Sequence, residues 1–144
     1  MKKKLLSDIL TCAVFILSIF LAVGSVSIFH ACGPKADGDF MICHWAERTV
    51  TAMGCVISVI SLIALLSGKN MGQRKGALLS TLPCLIMTAF VPNNIIRLCM
   101  METMRCHTVM KPAVIGIVIV IFTVAVIAVF VSRDTKAAGA ERRG

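Results

Sequence analysis

The chain carries 144 residues, 58% of them hydrophobic, with a formal net charge of +8 and a mean hydropathy of +0.90. One domain is the expectation at this length, and so apolar a composition excludes an ordinary soluble globule in favour of lipid. The positive balance does not point to nucleic acid, because the lysines and arginines are scattered near the ends of apolar runs without aromatic interleaving or a recognition motif.

Four apolar runs follow in order, at residues 9–28, 49–67, 77–96 and 112–132. Each is long enough, at 1.5 Å per helical residue, to cross a hydrocarbon core about 30 Å thick. Lipid offers nothing to an unpaired backbone amide, so each is expected to be a helix; the Val/Ile richness of 114–131 is tolerated in such spans. The opening Met-Lys-Lys-Lys-Leu-Leu has the look of a signal peptide, and Ala31-Cys32-Gly33 that of a lipoprotein cleavage site. The first run exceeds the about 7–15 apolar residues of a signal, and Phe29-His30 is a poor lead-in to a lipidated cysteine. The expectation is an uncleaved first helix and an all-α, integral membrane four-helix bundle.

Charge gives an orientation. With four spans both termini share one side, which holds Lys2, Lys3, Lys4, Lys69, Arg74, Lys75, Arg133, Lys136, Arg142 and Arg143. The other side holds Lys35, Arg48, Arg97, Arg105 and Lys111. Ten against five places the termini in the cytoplasm by the positive-inside rule, and adds some attraction to anionic inner-leaflet lipid. On the cytoplasmic side, 68–76 reads as a flexible turn and 133–144 as a polar tail. Neither carries a phosphate loop or a catalytic signature.

The two outer segments, about 29–48 and 93–111, are different. They hold all three histidines (His30, His44, His107), four of seven cysteines (Cys32, Cys43, Cys99, Cys106), five of nine methionines and the single tryptophan, Trp45. Met41-Ile42-Cys43-His44 and Met104-Arg105-Cys106-His107 are near copies, each placed just before an apolar run. The chain therefore reads as one hairpin used twice, over repeats of about 1–68 and 69–132, related by a pseudo-twofold axis along the membrane normal. That axis would gather the two Cys-His pairs at the outer mouth. Gly54 and Gly116, at similar distances beyond the motifs, would allow close helix approach.

Several chemistries suit these residues. Thiolate and thioether are soft donors that favour Cu(I), and imidazole suits copper, zinc and iron; two Cys-His pairs also match a tetrahedral zinc set. Neighbouring residues on a helix point about 100° apart, so Cys and His of one motif reach one ion only where the backbone departs from regular helix. Met100, Met104, His107 and Met110 step by three or four and would share a helix face. Covalent haem would want Cys-x-x-Cys-His, which neither segment offers, leaving non-covalent haem below copper and zinc. Thiol–disulfide exchange with a quinone is a further reading of Cys32, Cys43, Cys99 and Cys106, although no Cys-x-x-Cys is present. The same four equally suit two loop disulfides, with Cys32–Cys43 and Cys99–Cys106 as one of three pairings. Cys12, Cys55 and Cys84 fall within spans and read as small packing residues, and Glu47 and Arg48 as solvated helix ends.

At Cys32-Gly33, Met41-x-Cys43-His44-Trp45 and Cys99-Met100-x-x-x-Met104-Arg105-Cys106-His107 with Pro112, the chain resembles a family of small bacterial four-helix membrane proteins, domain of unknown function 4418. The resemblance covers nearly the whole chain and implies four spans and a bacterial membrane. It implies no activity; relatives encoded beside permeases of export-type ATP-driven transporters imply an accessory role. Asn93-Asn94 after Pro92 departs from the family pattern.

The expected function is a non-enzymatic one in the bacterial cytoplasmic membrane: binding of copper or zinc, or of haem, at an outer cluster of Cys43, His44, Cys106 and His107 with Met104 in support. The runner-up is a membrane thiol–disulfide oxidoreductase, and the third a structural subunit with cross-linked loops.

Overall fold

The computed structural model describes residues 2–29, 42–67, 71–96 and 106–141. Four α-helices account for most of them: α1 (Lys2–Ser27), α2 (Ile42–Leu66), α3 (Met71–Phe90) and α4 (Lys111–Glu141). Two π-helical turns complete the order, Val91–Ile95 directly after α3 and Cys106–Met110 directly before α4. Helix α1 packs on α2 and α4, and α3 packs on the same two, closing an antiparallel four-helix ring. The turn expected over 68–76 is shorter than its composition suggests, because α3 already begins at Met71.

Serines and threonines share the interior with aliphatic side chains, and the perimeter is apolar, as suits a bundle solvated by lipid. Ser7, Thr11, Ser18, Ser25, Ser61, Thr81, Thr88 and Ser132 are buried, while Ile9, Ile16, Val59, Leu66, Ile119 and Phe130 are exposed. Thr11, Ser18, Ser25, Ser61, Thr81 and Thr88 are tolerated inside because each donates to a carbonyl of its own helix, as when Thr11 donates to the Ser7 carbonyl at 2.8 Å and Ser61 to that of Ile57 at 2.8 Å. Three hydroxyl pairs also bridge helices: Ser25–Thr51 at 2.8 Å, Ser18–Ser58 at 3.0 Å and Ser7–Ser132 at 2.9 Å. Such contacts hold helices together where lipid supplies no hydrophobic drive, at about 0.6 kcal/mol each.

Three helical segments are long and apolar enough to cross a bilayer: Leu5–Ser27, Ile42–Leu66 and His107–Ser132. Helix α3 is less apolar, since Gln73, Arg74 and Lys75 lie in its first turns. It nevertheless packs along α2 and α4. The buried positions of α1 recur in α3 and its π turn 67 positions later, with Ser7, Thr11, Val14, Ser18, Leu21, Gly24 and Ser25 answered by Arg74, Leu78, Thr81, Leu85, Thr88, Val91 and Pro92. In the same way Ala46, Val50, Ile57, Ser61 and Ala64 of α2 are answered 64 positions later by Met110, Val114, Ile121, Ala125 and Ala128. The buried positions of the first and third helices, and those of the second and fourth, thus follow the same spacing.

Of the two glycines, only Gly54 serves close approach. A Cβ there would lie 3.0 Å from the Ala22 backbone nitrogen and 3.1 Å from its Cα, so α1 and α2 touch backbone to backbone. Gly116 has nothing within 4 Å and is exposed, lining a lipid-facing groove with Leu17, Phe20 and Phe29. The packing register explains why: Gly54 corresponds to Val118, not to Gly116.

Candidate functional site at the motif end of the bundle

Helices α2 and α4 both begin at the same end, and the two Met-x-Cys-His strings lie at those beginnings. In the first copy the helix is regular from Ile42 onward, so adjacent side chains diverge. Cys43 is fully buried in the main core cluster, together with Ala46, Val50, Val91, Met110 and Val114. His44 is half-buried on the flank, where its Nε2 accepts a 3.5 Å hydrogen bond from Arg48 Nε and its ring meets the exposed Trp45 edge-on at 6.3 Å. One turn below Cys43, Glu47 is buried at 6% relative exposure, which corrects its reading as a solvated helix end.

In the second copy the backbone is a π turn. Cys106 and His107 open it and Met110 closes it; His107 is half-buried and Met110 fully buried. The irregular backbone that a shared Cys/His site requires is therefore present in one motif and absent from the other. The thioether of Met110 and the thiol of Cys43 belong to one cluster, two soft sulfurs in an otherwise aliphatic environment. Among the described residues no three of His, Cys, Asp and Glu converge closely enough to hold an ion. His30, Cys32, Cys99 and Met104, and the side chain of Cys106, lie outside the described residues.

The remaining thiols divide differently from expectation. Cys12 and Cys55 are exposed on the lipid face, and only Cys84 is partly packed, against the main core. No disulfide joins Cys12, Cys43, Cys55 and Cys84 to one another.

The opposite end of the bundle holds a polar site that the charge pattern concealed. Arg74, expected in a turn, is buried at 2% exposure. Its Nη1 donates to Asp8 Oδ1 in an ion pair, and its Nη2 to the Ser7 carbonyl at 2.5 Å and the Thr11 hydroxyl at 2.6 Å. Its Nε is buried without a hydrogen-bond partner among the described residues. Ser7 in turn reaches Ser132, so α1, α3 and α4 are tied together at this end. The sequence signal was available: Ser7, Asp8 and Thr11 step by three or four along one helix face, just before and at the start of the first apolar run.

Searches of curated proteins and of solved structures give no match. A family model described as a domain of unknown function matches residues 14–131, most of the chain and all four helices, so the protein belongs to the DUF4418 family.

Proposed function

We propose that this protein binds a soft monovalent metal ion, Cu(I), at the motif end of its membrane bundle. The observation that carries the reading is the burial of Cys43 in one side-chain cluster with the buried thioether of Met110, where both Cys-His motifs begin their helices. Soft sulfur donors select Cu(I), which is satisfied by two or three of them. Zinc asks for a closed set of four thiolates and imidazoles, a poorer fit to a site with a thioether and no converging triad of His, Cys, Asp or Glu among the described residues. Haem would need a macrocycle-sized slot where aliphatic side chains are packed. Burial also weighs against thiol–disulfide exchange, since the Cys43 sulfur offers no line of approach to an incoming disulfide.

The setting we propose is a bacterial cytoplasmic membrane with both termini inside, on the ten-to-five split of Lys and Arg. Burial of Arg74 removes one charge from the inner loops and leaves the majority on the same side. A transporter permease is the partner suggested by family resemblance alone.

The test is a Cu(I) titration of reduced, detergent-purified protein against a chromophoric chelator. One ion per chain, lost in Cys43→Ala, supports the reading. An unaltered titration in Cys43→Ala, or no uptake by the wild-type chain, refutes it.

A further inference from the structure

The seams α1–α2 and α3–α4 differ at one place. In the spacing of the buried faces, Val118 stands where Gly54 stands and Ala89 where Ala22 stands. At Gly54 even a Cβ would lie 3.0 Å from the Ala22 nitrogen, so α1 and α2 close on each other there. A branched side chain cannot come so near a backbone. Helices α3 and α4 leave a cleft of about 250 Å³, lined by Leu85, Ala89, Phe90, Val118, Ile119 and Phe122. The lining is apolar, and the cleft opens to the perimeter where Phe90 and Ile119 are exposed.

A cation stands above it. Lys111, the first residue of α4, falls on the same helical stripe as Ile115, Ile119 and Phe122, at steps of four, eight and eleven. At 1.5 Å per residue, the stretch from Val118 to Phe122 lies about 10–17 Å along the axis from Lys111. That is close to the hydrocarbon depth of one leaflet, half of about 30 Å. Lys111 is half-buried and makes no ion pair among the described residues. Its counterpart in α2, 64 positions earlier, is Glu47, a carboxylate on the face that carries Gly54. The closed seam thus carries an acid at this place and the open one a base.

We infer that the α3–α4 cleft seats an acyl chain of an anionic phospholipid from the leaflet at the motif end, with Lys111 holding its phosphate. Charge complementarity carries the choice of occupant. An apolar helix of a partner or of a second copy would also fill an apolar cleft, but neither calls for a cation above it. A lysine near a helix end lays its methylenes along the apolar surface and keeps its ammonium among the headgroups, where anionic lipid attracts it. The site lies on the outside of the bundle and is independent of the copper reading.

Tryptophan quenching by brominated lipid, on full-length protein in phosphatidylcholine vesicles, tests the assignment. Trp45→Phe with Phe90→Trp puts the single tryptophan on the rim of the cleft. Brominated phosphatidylglycerol should quench it at about one-fifth of the mole fraction that brominated phosphatidylcholine needs, the preference given by one lysine near a lipid surface. Lys111→Gln should abolish that preference, Lys111→Arg should keep it, and added salt should weaken it. Trp45→Phe with Phe20→Trp, on the α1–α4 groove, is the control, and there the two lipids should quench alike. An equal preference at both reporters would mean general enrichment of anionic lipid and would overturn the inference. So would a preference that survives Lys111→Gln, or a cleft reporter that neither lipid quenches, the sign of a protein neighbour seated there.

Discussion

Removing either partner of the Asp8–Arg74 pair should have very different consequences, and the difference follows from burial. The Arg74 side chain is 3% exposed and that of Asp8 47%. In Asp8→Ala the guanidinium stays in the interior with the Ser7 carbonyl and the Thr11 hydroxyl as neutral acceptors and no counter-charge. Stranding a fully buried ion costs about 3–5 kcal/mol. Half-exposure of the lost carboxylate means that its attraction was already screened, which brings the expected cost to about 2–3 kcal/mol. In Arg74→Met an unbranched apolar chain fills the space of the guanidinium, Asp8 turns to the interface, and Thr11 keeps its bond to Ser7. Replacing a buried ion by an apolar chain of similar volume is close to neutral, so the cost should stay within about 1 kcal/mol. The double variant should be no worse than Arg74→Met alone. Unfolding in mixed detergent–SDS micelles, followed by Trp45 fluorescence, measures all three. Equal losses in the two single variants, or strict additivity in the double, would refute the argument that an unpaired buried guanidinium sets the energy.

Other substitutions test the packing. Gly54→Ala should cost about 1–3 kcal/mol through overpacking against the Ala22 backbone, whereas Gly116→Ala should be neutral or slightly stabilising, because nothing lies within 4 Å of the added methyl and alanine is the better helix former; the same micelle assay compares them. Ser25→Ala and Thr51→Ala should each lose about 0.6 kcal/mol, and the double no more than either single, because they share one bond. A fluorescent-protein fusion at the C-terminus should glow and an alkaline phosphatase fusion there should be inactive; the reverse pattern would invert the proposed orientation. Lipid-facing Cys12 and Cys55 should react with a membrane-permeant maleimide faster than Cys43 does, by mass spectrometry of the labelled chain.

The helices and the bundle were legible from the sequence, because hydropathy is a coarse signal. The packing register was not. The motif alone gives a spacing of 63, and only the burial of Ala46, Val50 and Ile57 against Met110, Val114 and Ile121 reveals 64. A hint was present in Pro92 and Pro112, whose counterparts in the first repeat, Ser25 and Arg48, are not prolines. Pro92 lies inside the first π turn, and Pro112 two residues beyond the second. Arg74 was hidden for another reason: a cation at the end of an apolar run reads as a loop residue. Only pairing with Asp8 and Thr11 on another helix makes its burial affordable. Glu47 misleads in the same way, since hydropathy cannot tell a carboxylate facing the axis from one facing solvent.

The register makes one more prediction, sharper than any single substitution. Residues 7 and 8 of α1 correspond to 74 and 75 of α3 in the spacing of their buried faces, so a pseudo-twofold axis would put the dipeptides Ser7-Asp8 and Arg74-Lys75 in equivalent places. Exchanging them (Ser7→Arg, Asp8→Lys, Arg74→Ser, Lys75→Asp) keeps composition and net charge. If the twofold is real, it also recreates an arginine–aspartate pair between the same helices. The exchange is not perfect. Position 11 supplies a hydroxyl to the guanidinium, but its equivalent is Leu78, and the Ser7–Ser132 bond has no counterpart because position 132 corresponds to Gly68. Two bonds of about 1 kcal/mol each should be lost, less than the cost of the half-exchange Ser7→Arg with Asp8→Lys, which sets two cations against Arg74. In the SDS titration the fourfold variant should therefore lie between the wild type and the half-exchange. A fourfold variant as unstable as the half-exchange would mean that the two hairpins share a burial pattern without sharing equivalent sites. The correspondence of α2 with α4 at 64 positions would then lose its support from the other end of the bundle.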